Sequence, residues 1–300
     1  MEKLPLVSII TITRNRGKLI GRCIQSVLNQ TYKNIEHIVV DGASDDETDE
    51  VVASFNDKRL KYIKLASNWT IAKTINYGVE QSKGLFITFL DSDDEYLPTK
   101  VEKQLNKMLT LPNDYGMVYC WMTYYDQTTM KIDHIHKPKV RGDVSKEVVE
   151  EPVVSGTPTY FFRREAFIAN GGWREADEIG IVSDWEMGAR FCQKWKVDYV
   201  PESLINVYFN HGTVRMSENK YYKKILEKEI KFEKHFLSQF ADIYAEYPSK
   251  AFPHWYILSR ALMILGRYSE AWPYYKQLLF KRHSFKDIFL IPFCFLHKVE

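Results

Sequence analysis

Three carboxylates fall within four residues at Asp91, Asp93 and Asp94, directly after the apolar run 85–90. An ionised carboxylate taken out of water is costly unless it is paired or holds a metal. Hard cations such as Mg²⁺ accept oxygen ligands at about 2.0–2.1 Å and bridge one or two carboxylates to a substrate's phosphates. A solvated acidic turn, with an Asp capping a helix that starts near Pro98, is the other reading, and the residue types alone leave both open. Asp41 poses the same choice. It ends a second apolar run and is placed to accept hydrogen bonds from a ribose or a base, or from its own backbone in an Asx-turn. A fifth acid, Asp184, follows Ser183, with Glu186 three residues after that serine. This is a capping box, so Asp184 is a first-turn acid favoured by the helix dipole. The same placement suits a general base.

Positioning these groups takes a scaffold, and its outline is readable. Apolar strands at 6–12, 35–40, 60–65 and 85–90 alternate with helices from Leu19, at 48–55 and at 70–81. Such alternation predicts right-handed βαβ units and a parallel sheet. Beyond it come a helix at 97–109, a strand at 116–125, a surface hairpin or loop at 130–149 and a strand at 159–163. The Gly171-Gly172 turn, a helix from Asp184 and short strands at 197–200 and 204–209 follow. His134 and His136 are expected on an exposed strand rather than in a metal site. From Ser217 the pattern changes to a long amphipathic helix over 221–240 and two helices within 252–280 around Gly266-Arg267-Tyr268. An apolar, Lys-flanked segment closes the chain and suits either packing onto the protein or docking at a membrane surface. Neither a G-x-G-x-x-G after the first strand nor a P-loop is present.

Composition narrows the class. The chain has 300 residues, 41 basic against 39 acidic, for a net charge of +2. A dedicated nucleic-acid binder would show a basic surplus. Hydrophobic residues make up 45% and aromatics 14%, enough for a large core and for surfaces that meet sugars or lipid headgroups. Four scattered cysteines form no C-x-x-C pair, which points to a reducing cytosol. The N-terminus lacks a signal-peptide layout, and no apolar run reaches the roughly 20 residues a membrane span needs. The expected location is cytoplasmic, with at most peripheral contact at the inner face of the cell membrane.

Taken in order, the motifs resemble those of the family 2 glycosyltransferases of the GT-A fold over about residues 5–215. Thr13-Arg14-Asn15 ends the first strand, Ser26 to Tyr32 reads S-V-L-x-Q-T-Y, Asp41 ends the second strand, Asn76-Tyr77-Gly78 ends a helix, and the D-x-D strand follows. Gly171-Gly172-Trp173, Ser183-Asp184 and Arg190 match the family's later motifs. The resemblance implies an α/β, Rossmann-like, mostly parallel GT-A domain over 1–216 and a helical extension over 217–300. It implies metal-dependent, inverting transfer from a nucleotide-diphosphate sugar, UDP-linked, to a saccharide or lipid-linked saccharide in surface polysaccharide synthesis. Thr13, Asn15, Asp41, Asn76 and Asp91 would bind the donor, with Asp41 reading the base. Asp91, Asp93 and His211 would hold Mn²⁺ or Mg²⁺, and Asp184 would be the catalytic base. Three departures stand out: Gly42 for a second Asp, Ile75 where many members carry Arg, and Ser183 for Glu. Lys73 or Arg14 would replace the missing arginine. The L-G-x-Y-x-x-A run at 265–271 resembles one tetratricopeptide-like helical pair. A single unit cannot bury its own face, so it should pack on the catalytic domain, a second subunit of a homodimer or another partner. The rival readings are a sugar-1-phosphate nucleotidyltransferase and a non-catalytic scaffold with the same fold.

Overall fold

The computed structural model describes residues 4–154, 156–181, 183–210 and 222–281. The alternation read from the sequence yields β1 (Val7–Thr13), α1 (Gly17–Leu28), β2 (Ile35–Asp41), α2 (Thr48–Ala53), β3 (Leu60–Lys64), α3 (Ile71–Glu80) and β4 (Phe86–Phe89). After these come β5 (Glu95–Tyr96), α4 (Lys100–Leu109), β6 (Tyr115–Asp126), β7 (Lys131–His136), β8 (Phe161–Arg163), α5 (Arg164–Ala169) and α6 (Ala176–Ile179). The remainder is α7 (Asp184–Cys192), β9 (Lys196–Phe209), α8 (Tyr222–Gln239), α9 (Ala241–Glu246), α10 (Phe252–Ile264) and α11 (Tyr268–Lys281). The chain forms two compact units, Met1–Val144 with Val153–Trp173 and Arg190–Thr213, and Ser145–Pro152 with Arg174–Ala189 and Val214–Glu300. The second therefore takes 145–152 and 174–189 in addition to the helices that the sequence sets apart from 217 onward.

In the first unit a sheet runs β3-β2-β1-β4-β8-β6-β9-β5, with β7 on β6. β1 pairs in parallel with β2 and β4, and β2 with β3. Its side chains are buried on both sides, as a parallel sheet covered on both faces requires. Val7 and Ile9 join a core with Ile20, Cys23, Ile24 and Val27 of α1 and Val101, Leu105 and Met108 of α4. Across the sheet α3 comes so close that a Cβ on Gly78 would lie 2.6 Å from Ile10 Cγ2. Beyond β4 the pattern becomes mixed, because β8 pairs antiparallel with both β4 and β6. The two short strands expected near 197–209 are one strand, β9, parallel to β6. Its register slips where Cys120 faces Val200 and Trp121 faces Ser203. Pro201 falls in that slip, where a residue without an N–H is tolerated. The expected hairpin is β6–β7, on which His134 stacks over Tyr124 at 4.3 Å and pairs with Asp133 at 2.7 Å.

In the second unit Leu226 and Ile230 of α8 pack with Leu258, Ala261 and Leu262 of α10 and Ala271 of α11. The helical pair thus has a covering helix within its own unit. Gly266, at φ 75°, ends α10 with hydrogen bonds from Gly266 N–H to Met263 O and Arg267 N–H to Leu262 O. This Schellman pattern explains the glycine, since the left-handed position would strain a side chain. The final apolar segment lies outside the described residues. Among those described, no helix is long and apolar enough to cross a membrane, and Cys23, Cys120 and Cys192 are buried free thiols.

Lys100 is a buried cation in the first unit. It is fully enclosed, its ammonium donates to Thr88 Oγ1, and it lies 3.9 Å from the Tyr96 ring centroid. Burial pushes its pKa down to about 7. Between about 7 and the ordinary value near 10.5 the unfolded chain binds the extra proton, so stability rises with pH across that window. Replacing Lys100 by Met should remove this rise. Thermal melts from pH 6.5 to 9.5 are expected to show a Tm advantage for the variant that shrinks as pH increases; parallel profiles would mean that the amine is solvated.

Candidate active site

Because β1, β2 and β4 are parallel, their carboxyl ends finish on one edge of the sheet. Thr13 is the register partner of Asp41, and Leu90 N–H, just past β4, donates to Ile10 O. The segments after these strands are joined to one another. Asn15, left-handed at φ 52°, accepts from Asp45 N–H at 3.0 Å through Oδ1, while its own N–H donates to Ser44 Oγ at 2.8 Å. Gly17 N–H donates to Asp46 Oδ2 at 3.0 Å. Arg16 reaches Asp93 at 3.9 Å and so joins the segment after β1 to the acidic turn.

Burial separates the three adjacent acids. Asp91 is exposed and Asp93 partly so, whereas Asp94 is 3% exposed. Asp94 Oδ1 accepts from Tyr208 N–H at 2.9 Å, which ties the turn to β9. Burial, then the charges of Asp91 and Asp93, raise its pKa well above the carboxylate range. Arg22 of α1 donates to Asp93 O and lies 3.6 Å over the Tyr208 ring. Sequence reasoning missed Arg22 and Tyr208. Arg22 sits on the polar side of a readable helix, but its partners are remote in the chain.

The donor-binding expectations divide. Thr13 is 6% exposed and its Oγ1 is buried without a hydrogen-bond partner, a polar atom at the strand end that a ligand would satisfy. Asp41 is fully buried and bonded inward: Oδ1 takes Ser44 N–H and Ser44 Oγ–H at 2.9 and 2.6 Å, and Oδ2 takes Tyr62 O–H. The turn-forming reading is the one its geometry displays, and Asp41 holds the segment after β2 through Ser44. Asn76 is likewise engaged within the protein. Its Oδ1 accepts from Trp173 N–H at 3.0 Å and its Nδ2 donates to Trp173 O at 2.8 Å. Ile75 is buried, and Lys73 lies 4.2 Å from the Trp69 ring centroid. His211 falls outside the described residues.

Asp91 and Asp93 suit a divalent cation that completes its shell with phosphate oxygens and water. Among the described residues no group of three or more His, Cys, Asp or Glu could hold a metal by itself. A two-carboxylate donor set is what nucleotide-phosphate sites use for Mg²⁺.

Asp184 belongs to the second unit and is half-buried at the start of α7. Ser183 Oγ accepts from Trp185 N–H at 3.2 Å and from Glu186 N–H at 3.3 Å, as the capping box predicts. Glu186, 1% exposed, pairs with Arg174 at 3.1 Å. Arg190 holds the carbonyls of Asn170 and Gly172, the latter at 2.7 Å.

A mixed sheet with acids at the carboxyl ends of its parallel strands is the GT-A arrangement of nucleotide-sugar enzymes. Residues 8–171 match the family model described as Glycosyl transferase family 2. That stretch is more than half of the 300 residues, and the chain belongs to this family. The match ends before Asp184. The chain is similar to the UDP-Glc:alpha-D-GlcNAc-diphosphoundecaprenol beta-1,3-glucosyltransferase WfaP of Escherichia coli, 38% identical over 107 residues, covering 36% of this chain and 43% of that protein. It spans less than half the length of the curated relatives it matches. In fold it is similar to Staphylococcus aureus TarS 1-349 in complex with UDP-GlcNAc, at a TM-score of 0.61 and 17% identity, covering 85% of this chain and 81% of the other. It is also similar to the Pyrobaculum calidifontis mannosyltransferase PcManGT in complex with GDP-Man and Mn²⁺, at a TM-score of 0.59 and 15% identity, covering 97% and 80%.

The Asn76 clamp is testable. A Cβ on Gly172, at φ 65°, would lie 2.5 Å from Asn76 Oδ1. Asn76→Ala should cost about 1–3 kcal/mol by leaving the Trp173 backbone groups unpaired. Gly172→Ala should cost a similar amount through backbone strain. Urea denaturation of both variants checks this, and an Asn76→Ala protein of unchanged stability would return Asn76 to the donor.

Proposed function

We propose that the protein is an inverting glycosyltransferase that moves a sugar from a nucleotide-diphosphate sugar to a hydroxyl of a saccharide or lipid-linked saccharide. The observation that carries the reading is the convergence of the unpartnered Thr13 hydroxyl, the Asp41–Ser44 turn and the Asp91–Asp93 pair on one sheet edge. Thr13 and the turn that Asp41 holds line the nucleotide side. Asp91 and Asp93 hold a divalent cation, Mn²⁺ or Mg²⁺, which when bound supplies Lewis-acid stabilisation of the departing diphosphate. Arg16 neutralises part of the Asp93 charge from the segment after β1. Asp184 takes the proton of the acceptor hydroxyl. The acceptor oxygen then bonds to the anomeric carbon from the face opposite the nucleotide, and the bond to the diphosphate breaks with its electron pair on the leaving group. General-base assistance of this kind contributes about 10²–10⁴-fold. A uridine donor and a polysaccharide pathway are favoured by the names of the Escherichia coli relative and of the Staphylococcus aureus complex.

Two experiments test the reading. Thermal-shift titration with UDP-glucose, UDP-GlcNAc and GDP-mannose, each with Mn²⁺, should show stabilisation by a UDP-sugar, and indifference to every nucleotide would overturn it. Asp91→Asn and Asp93→Asn should each weaken Mn²⁺-dependent UDP binding by about 10–100-fold. Thr13→Val should weaken it without loss of stability, because the lost hydroxyl bonds nothing in the protein. In turnover assays that follow UDP release, Asp184→Asn should lose nearly all activity while calorimetry shows unchanged UDP affinity. An active Asp184→Asn enzyme would reassign the base.

A further inference from the structure

The first turn of α7 is held from the C-terminal helices of its own unit. Trp185, next to Asp184, donates its indole N–H to Val148 O at 2.5 Å. Its ring stacks on the His254 imidazole at 5.0 Å and 23° and meets Phe236 at 4.8 Å. His254 and Phe236 are themselves 4.8 Å apart, so the three rings form one cluster.

His254 is fully buried, and both its nitrogens are engaged. Nε2 faces Val149 O at 2.6 Å and Nδ1 faces Glu233 Oε2 at 2.6 Å. A carbonyl only accepts, so Nε2 carries a proton. A second proton must lie between Nδ1 and the Glu233 carboxyl, whichever atom it is assigned to. Turning the ring would strip Val149 O of one of its two bonds and take the imidazole partner from the Glu233 carboxyl, which is 2% exposed. The imidazole is therefore fixed in place and in plane. It holds Val149, whose neighbour Val148 takes the Trp185 indole. Tyr244 O–H adds a second bond to Val149 O at 2.8 Å.

We infer that His254 is a positioning residue for the proposed reaction: by fixing Trp185 and the 148–149 backbone together, it orients the helix turn that presents Asp184. The inference rests on the reading of Asp184 as general base. The hydrogen bonds of the Glu186–Arg174 pair act alongside it. Arg174 reaches His235 Nε2 at 3.0 Å and Gln239 Oε1, so α8 anchors the residue after Trp185 as well.

The test pairs a disruptive variant with a conservative one. His254→Phe combined with Glu233→Leu removes the hydrogen bonds without stranding a buried charge. Glu233→Gln keeps a donor for the Nδ1 lone pair, so it should preserve the cluster. Hydrogen–deuterium exchange should speed up for the amides of 184–190 in the double variant, leave β1 and β2 unchanged, and stay at wild-type rates throughout in Glu233→Gln. With UDP-glucose, UDP-GlcNAc or GDP-mannose and Mn²⁺, kcat of the double variant should fall by about 10–100-fold while the donor KM stays within about twofold. Introduced into an Asp184→Asn background, the same double change should lower kcat no further, because both changes act through one group. Unchanged exchange, unchanged kcat, or losses that multiply with Asp184→Asn would each overturn the positioning role. An active Asp184→Asn enzyme with faster exchange in the His254 variant would instead sink the base assignment and leave the anchor standing.

Discussion

The backbone N–H of Tyr208 that meets the carboxyl of Asp94 sets the geometry of the acidic turn. β4 has only four residues, too short a stem to fix three acids by itself. With Asp94 drawn inward against β9, Asp91 is left exposed and Asp93 partly so, and residues of one type within a single turn differ through burial alone. Arg22 reinforces the arrangement, since one guanidinium contacts the turn's backbone and covers the Tyr208 ring. The charge cost of gathering three carboxylates is met by making one of them hard to ionise.

Much of this was legible because it is local. Strand–helix alternation through residue 90 follows from periodicities within ten or so residues, and the Ser183 cap lies within three residues of the groups it serves. What escaped depends on partners far along the chain. The strand expected at 159–163 forms as β8, but its place between β4 and β6 is set by pairings made many residues away. The short strands expected at 197–200 and 204–209 are one, because β6 accommodates Pro201 by a slip in register. Asp41 and Asn76 occupy the positions their motifs predict, yet Tyr62 and the Trp173 backbone determine what their side chains bond. Motifs locate a residue; the groups opposite it decide its task.

The two units solve different problems. The sheet edge gathers short side chains on strand ends that neighbouring strands hold in register, which suits a rigid phosphate and base site. Asp184 has no strand behind it. Its turn is steadied by rings, an ion pair and a capping hydroxyl drawn from 145–152, 174–189 and the helices beyond 222. The family match ends at residue 171, so all of these supports except the 145–152 segment come from sequence beyond the matched stretch.

That interleaving has a consequence for the order in which the chain becomes functional during synthesis. Ribosomes deliver residues from the N-terminus, and segments fold as their partners emerge. β1, β2 and β4 can assemble once roughly the first third of the protein has left the exit tunnel, whereas the acidic turn waits for Tyr208. Trp185 and Glu186 are made well before His254, His235 and Gln239, and they wait for them. The nascent protein thus gains its parallel strands early, the settled acidic turn later and a steady Asp184 turn last. A partial chain has the strands of the sheet edge before either turn is steady.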